Sequence, residues 1–125
     1  MVKNHDGTQA VFNAVFFETG SGKQPVRDFI NGLTKEDKKE IGADIRTVQI
    51  GFPMGLPLVR KVKPDLWEIR STIKDGICRV FFTLFKNNMI LLHIFVKKTQ
   101  KTPLKELDIA SERLKEFRKM QYQSQ

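Results

Sequence analysis

The order of apolar and polar residues predicts a strand, two helices, three further strands and a final helix. The first strand, at about residues 10–18, is rich in Val and Phe between polar flanks. The first helix starts at Pro25 and carries apolar residues at helical spacing as far as Leu33. The second helix takes Thr34 as its N-cap and ends near Gly51, where a Gly-Phe-Pro sequence stops it. The first part of the chain is therefore one strand followed by a helical pair.

Three extended segments follow, at residues 59–73, 77–85 and 89–97. The first is predicted to bend near Pro64. Lys-Asp-Gly at 74–76 and Asn-Asn at 87–88 are turn sequences, so the segments pair as consecutive antiparallel hairpins. The second and third segments are apolar at both alternating sets of positions, which predicts central strands that are covered on both faces.

The last helix follows Thr102 as N-cap and Pro103 as first helical residue, and it should run to about Met120. Its apolar stripe predicts that one face packs on the sheet. The fold class is therefore a small α+β domain with a mainly antiparallel central sheet, strand-helix-helix-three strands-helix. We expect residues 1–125 to form a single domain, with frayed ends at about 1–9 and 121–125.

Charge changes this picture, because the chain has 22 Lys and Arg against 14 Asp and Glu and a net charge of +8. The excess is local. Residues 59–101 hold ten basic and three acidic residues and therefore carry +7 of the +8. A basic segment of this kind predicts a polyanion as partner.

Other classes of function find little support in the sequence. The longest apolar run, residues 89–96, is far shorter than the ~20 residues that cross a bilayer. The N-terminus has no secretory h-region, and the lone Cys78 has no disulfide partner, so we expect a cytoplasmic protein. His5 and His93 share no metal-ligand spacing, and TGSGK is not a phosphate loop, so we expect no metal and no other cofactor.

Two arginines and a strand end form the candidate anion site. Arg70 and Arg79 lie on either side of a predicted hairpin turn, so strand pairing would bring them together. Glu68 or another acid could instead neutralise them. Lys97 and Lys98 end the last strand just before a helix whose first N–H groups and dipole also attract anions. A lysine pair alone is usually a solvated surface, whereas several converging cations favour an anion site.

His93 lies inside an apolar strand and allows two interpretations. The commoner is a buried histidine whose ring is fixed by a hydrogen bond, and the alternative is a catalytic base.

The segments LWEIRSTIKDGICRVFF and VKKTQKTP, followed by a helix with the spacing EL..A..R, resemble the phage-type Gp49-like, HigB-type toxins of the RelE superfamily. The resemblance covers about residues 66–117, and the preceding strand and helical pair also suit that family. It implies a small RelE-like domain that acts as the toxin of a type II toxin–antitoxin system.

The resemblance also implies an activity, which is metal-independent cleavage of messenger RNA in the ribosomal A site. The 2′-hydroxyl of the RNA attacks the adjacent phosphate and leaves a 2′,3′-cyclic phosphate and a 5′-hydroxyl. By the same resemblance Arg70 binds the scissile phosphate, and Arg79 either joins it or supports it structurally. Lys97 or Lys98 stabilises the transition state or protonates the leaving oxygen. The remaining basic residues assigned to RNA contact are Lys61, Lys63 and Lys101.

The sequence departs from the family at one point. Many relatives place a tyrosine, or a histidine and an acid, near the active site, but the tyrosine of this chain is Tyr122 in the predicted frayed tail. The base would then be a lysine or His93. Two other functions therefore stay open, namely a non-catalytic basic RNA- or DNA-binding module and a phage-derived structural protein. The toxin hypothesis further predicts an antitoxin with an acidic segment, of the helix-turn-helix type.

Overall fold

The computed structural model describes residues 11–98 and 101–123. Within these residues the chain forms three helices and five strands. In chain order they are β1 (Asn13–Phe16), α1 (Pro25–Asn31), α2 (Lys35–Gly51), β2 (Val59–Lys63), β3 (Leu66–Ile73), β4 (Gly76–Phe85), β5 (Asn88–Lys97) and α3 (Leu104–Gln123).

The strands form one open sheet in the order β1-β5-β4-β3-β2. The strands β2 to β5 are consecutive antiparallel neighbours, whereas β1 pairs with β5 in parallel. The fold class predicted from the sequence, a small RelE-like α+β domain with a mainly antiparallel sheet, is confirmed. The parallel pairing of β1 is an addition that the hairpin pattern did not indicate.

The region that was predicted as one bent segment, residues 59–73, is instead a hairpin of β2 and β3. Pro64 has no N–H for a ladder bond, and Asp65 adopts a positive φ of 61°, so the chain reverses within two residues. Residues 59–97 therefore contain four strands, one more than predicted. The first strand is also shorter than predicted, since β1 covers only Asn13–Phe16, and α3 extends past Met120 to Gln123.

The sheet is covered on both faces, as the two-sided apolar pattern of β4 and β5 predicted. One core lies between the sheet and the helices α1 and α2, and includes Val26, Ile45 and Phe82. The other lies beneath α3 and includes Phe81 and Leu114. Thr34 caps α2 as predicted, because its hydroxyl accepts a bond from Asp37 N at 3.2 Å. No helix in the described part of the chain is both long and apolar enough to span a membrane.

The turn between β3 and β4 brings three strand termini together at one end of the sheet. β3 ends at Ile73, β4 begins at Gly76 and β5 ends at Lys97. Gly76 has a φ of +153°, and a Cβ there would lie 3.0 Å from the carbonyl oxygen of Lys97. Only glycine fits this turn without strain, so Gly76 allows the β5 end to pack closely on the hairpin.

Candidate active site

Strand register places Arg70 and Arg79 directly opposite each other. They are Cα partners in the β3–β4 ladder, and Arg79 is in turn the partner of Phe95 in β5. Side chains of directly opposed residues share a face of the sheet, here the face covered by α3. The predicted approach of the two arginines is therefore observed.

A buried carboxylate, Glu68, ties the two arginines together. Arg79 Nη1 donates to Glu68 Oε1 at 2.9 Å, and Arg70 Nε lies 3.7 Å from the same oxygen. Thr102 Oγ1 donates to Glu68 Oε2 at 2.7 Å and accepts bonds from Arg60 Nη2 and Arg79 Nη1, both at 3.2 Å. This set, Arg60, Glu68, Arg79 and Thr102, is named the buried network. It fastens the start of α3 to β2, β3 and β4.

Burial separates the two arginines by role. The side chains of Arg79 and Glu68 are both 0% exposed, whereas that of Arg70 is 16% exposed. A fully buried guanidinium that is paired with a buried carboxylate cannot reach a nucleic acid. Of the two roles that the resemblance implied for Arg79, these contacts favour structural support, and they leave Arg70 as the arginine that meets solvent.

Arg70 lines an open cleft of about 380 Å³ at the end of the sheet. β2 pairs with β3 only as far as Ile69, and the final contact is the bond from Arg70 N to Leu58 O at 2.7 Å. Beyond that point β2 no longer covers the edge of β3, so residues from both faces of the sheet line the cleft. Its lining residues are Glu40, Asp44, Pro57, Leu58, Arg70, Thr72 and Ile77.

The two lysines at the end of β5 differ in position and burial. Lys97 pairs with Ile77, a residue that lines the cleft, and it shares the face of Arg70 by alternation. Arg70 and Lys97 stand on strands two positions apart, a lateral separation of roughly 10 Å. Lys98 is exposed and lies in the bend that follows β5. The β3–β4 turn adds the exposed Lys74 and Asp75, so four basic residues stand against one acidic residue at these strand ends. We call Arg70, Lys74, Lys97 and Lys98 the strand-end patch.

The residues assigned to RNA contact are spread more widely. Lys61 is exposed and pairs with Trp67, on the face opposite to Arg70. Lys63 lies at the other end of β2, where its Nζ donates to Ser111 Oγ in α3 at 3.3 Å. Lys101 is exposed beside the buried network. The structure therefore does not gather Lys61 and Lys63 around Arg70, and their role in RNA contact stays a prediction.

Both ring nitrogens of His93 are engaged. Arg113 Nη1 lies 3.0 Å from Nδ1, and Glu106 Oε1 lies 3.1 Å from Nε2. A guanidinium only donates, so Nδ1 accepts and Nε2–H donates to the carboxylate of Glu106. The ring also stacks with Phe81 and Phe95. Of the two interpretations of His93, these contacts favour the buried, hydrogen-bonded histidine, since neither nitrogen is left for a substrate.

The pH dependence of stability tests this arrangement. Burial, assisted by Arg113, lowers the pKa of His93 below 6.5, and Glu106 only partly opposes the shift. An unfolded chain then binds a proton that the folded chain does not, so the free energy of unfolding should decrease as pH falls through ~6.5. Urea unfolding at pH values from ~7 to ~5 should show a shallower decrease for His93→Gln than for the wild type. If the free energy of unfolding falls equally with pH in the two proteins, His93 is not the buried, hydrogen-bonded histidine described above.

Neither the tyrosine nor the cysteine of the chain lines the cleft. Tyr122 is 83% exposed near the C-terminal end of α3, about 27 Å along the helix from its start at Leu104. Cys78 is fully buried, and this burial raises the pKa of its thiol to about 12, so it is an inert core residue. Within residues 11–98 and 101–123, no three His, Cys, Asp or Glu side chains are grouped to hold a metal ion.

Sequence reasoning found the arginines and considered Glu68 as their partner, but it missed Asp44, Glu40 and their neighbour Ser71. Ser71 is buried and its Oγ donates to Asp44 Oδ2 of α2 at 2.5 Å. Asp44 and Glu40 are four residues apart on α2 and so lie on one helical face. That spacing was a readable signal, but the sequence offers no way to know that this face borders the cleft of Arg70.

These features define a basic α+β domain whose strand ends gather positive charge beside a cleft. Residues 28–115 match the model of the phage-derived Gp49-like protein family. The chain therefore belongs to that family, which is associated with the toxins of toxin–antitoxin systems. The matched range includes the cleft and the whole buried network. The comparison with curated proteins finds no match.

Proposed function

We propose that this protein is the toxin of a type II toxin–antitoxin pair, similar to HigB-type members of the RelE superfamily, and that it cleaves messenger RNA on the ribosome. The observation that carries the proposal is Arg70, a solvent-accessible arginine in a cleft of a Gp49-like protein. Arg70 Nε lies 3.7 Å from Oε1 of the buried Glu68, so this carboxylate helps to orient the guanidinium that lines the cleft.

The reaction would be an internal transfer at phosphorus. A lysine of the strand-end patch would take the proton of the RNA 2′-hydroxyl, whose oxygen bonds to the adjacent phosphorus while the bond to the 5′-oxygen breaks. The products are a 2′,3′-cyclic phosphate and a 5′-hydroxyl. Arg70 would neutralise the charge that grows on the phosphate oxygens in the transition state. Lys97, which shares its face of the sheet, would stabilise that charge or donate the proton that the departing 5′-oxygen takes up.

The same charge distribution supports a ribosomal substrate and an antitoxin partner. The segment of residues 59–101 carries +7, and most of its lysines are exposed. Such a surface attracts ribosomal and messenger RNA. An antitoxin that silences the toxin would cover the strand-end patch with an acidic segment, and a helix-turn-helix protein encoded beside the toxin is the expected partner.

Expression of the full chain in growing cells tests the proposal. We expect growth arrest, and sequencing of message ends should reveal new 5′-hydroxyl ends inside reading frames. Purified protein should cut a message on programmed ribosomes and leave the same naked message intact. The antitoxin expected to be encoded beside the toxin, when co-expressed with it, should bind the protein and restore growth.

Other outcomes would identify the rival functions. Tight RNA binding without cleavage on programmed ribosomes would overturn the nuclease proposal and favour a binding module. Normal growth with intact messages and no RNA binding would favour a structural phage protein.

A further inference from the structure

Beyond the position of the phosphate, the cleft has the composition of a base-binding pocket. We infer that it binds a guanine base of a nucleotide beside the cleaved bond, with Asp44 and Glu40 as acceptors for the base. This inference rests on the proposed function, because it assigns the rest of the site in which Arg70 would hold the phosphate.

The size and lining of the cleft carry the first step. A volume of about 380 Å³ lies within the ~300–1,000 Å³ typical of small-molecule pockets. Pro57, Leu58 and Ile77 supply apolar surface, which suits the flat face of a base. Arg70 supplies the cation for a phosphate, and the two carboxylates supply acceptors. A phosphate alone would gain nothing from the carboxylates, whereas a nucleotide uses all three kinds of surface.

The position of Asp44 favours base recognition over proton transfer. Asp44 is bonded to Ser71, which faces α2, while Arg70 belongs to the opposite face of β3. The two groups therefore approach the cleft from opposite faces of the sheet edge. The attacking 2′-hydroxyl lies next to its phosphate, but the base lies beyond the sugar. A carboxylate across the sheet edge from the phosphate-binding arginine is better placed for the base.

The acceptors select the kind of base. Oδ2 of Asp44 already accepts the Ser71 hydroxyl, and this bond fixes the carboxylate. The remaining acceptors are Oδ1 of Asp44 and the carboxylate of Glu40, one helical turn away. Guanine presents two neighbouring donors, N1–H and the 2-amino group, on its pairing edge. Adenine, cytosine and uracil each set a donor beside an acceptor there, which would face a carboxylate unfavourably.

The test compares messages on programmed ribosomes in which one nucleotide flanking the cleaved bond is guanosine, inosine or adenosine. Inosine lacks only the 2-amino group of guanosine. The loss of one hydrogen bond to a charged acceptor should slow wild-type cleavage roughly tenfold. Asp44→Asn should lose the discrimination between guanosine and inosine. Asp28→Asn, an exposed aspartate on α1 outside the cleft, should keep it.

Glu40→Gln provides a second variant, because Glu40 is exposed and its substitution leaves the core untouched. It should also weaken the discrimination. Equal cleavage of all three messages by the wild type would overturn the inference while leaving the nuclease proposal intact. Unchanged discrimination in both Asp44→Asn and Glu40→Gln would overturn it as well. If no message is cleaved by the wild type, the proposed function itself fails, which is a different result.

Discussion

Glu68→Ala should lower the free energy of unfolding by about 3–5 kcal/mol, as expected when one partner of a buried ion pair is removed. Arg79 is fully buried and its Nη1 donates to Glu68, so the variant leaves a guanidinium charge in the core without its carboxylate. Thr102 also loses the acceptor for its hydroxyl, and the start of α3 loses its link to the sheet. Urea unfolding followed by circular dichroism would measure the change.

The matched control is Glu112→Ala, which removes a carboxylate of the same length from an exposed pair with Lys115 on α3. That pair is open to water, so little change in stability is expected. A second variant, Glu68→Leu combined with Arg79→Leu, removes both charges and should be less destabilising than the sum of the two single substitutions. Equal stability of Glu68→Ala and Glu112→Ala would refute the role of the buried network.

The parts of the fold that were readable from the sequence are those set by local chemistry. The second helix has an N-cap at Thr34, and the β4–β5 pair has turn residues between two-sided apolar strands. The β2–β3 hairpin was missed because Pro64 was interpreted as a bend within one long strand, although Pro and Asp are both common turn residues. The parallel pairing of β1 with β5 joins residues about 75 positions apart, for example Asn13 and Asn88, and no local pattern encodes it.

The candidate site also combines features that local sequence predicts with features that depend on contacts between distant segments. A hairpin register alone brought Arg70 and Arg79 together, because the turn that pairs them is short. Buried Arg79 also donates to Thr102, which meets Glu68 only after α3 folds back on the sheet. The cleft depends on where β2 stops, and Asp44 reaches it only through the packing of α2 on β3. Charges are visible in a sequence, but their exposure is decided by contacts between distant segments.

Arg70→Ala should lower the rate of message cleavage on programmed ribosomes by about 10²–10³-fold, the typical cost of removing one group that stabilises transition-state charge. Its effect on stability should be small, because Glu68 keeps its bonds from Arg79 and Thr102. The cleavage rate of Arg70→Lys should fall between those of the wild type and Arg70→Ala, since an ammonium keeps the charge but not the planar pair of donors. Single-turnover cleavage measures the rate, and urea unfolding measures the stability.

The control for Arg70 is Arg46→Ala, because Arg46 is an exposed arginine of α2 that does not line the cleft. Both substitutions remove one unit of positive charge, so a general loss of attraction to RNA would slow the two variants alike and would weaken with added salt. A specific contact with the scissile phosphate predicts a loss confined to Arg70→Ala that persists at saturating ribosome concentration. Equal rates for the two variants would therefore remove Arg70 from the reaction and leave its charge as a contribution to binding alone.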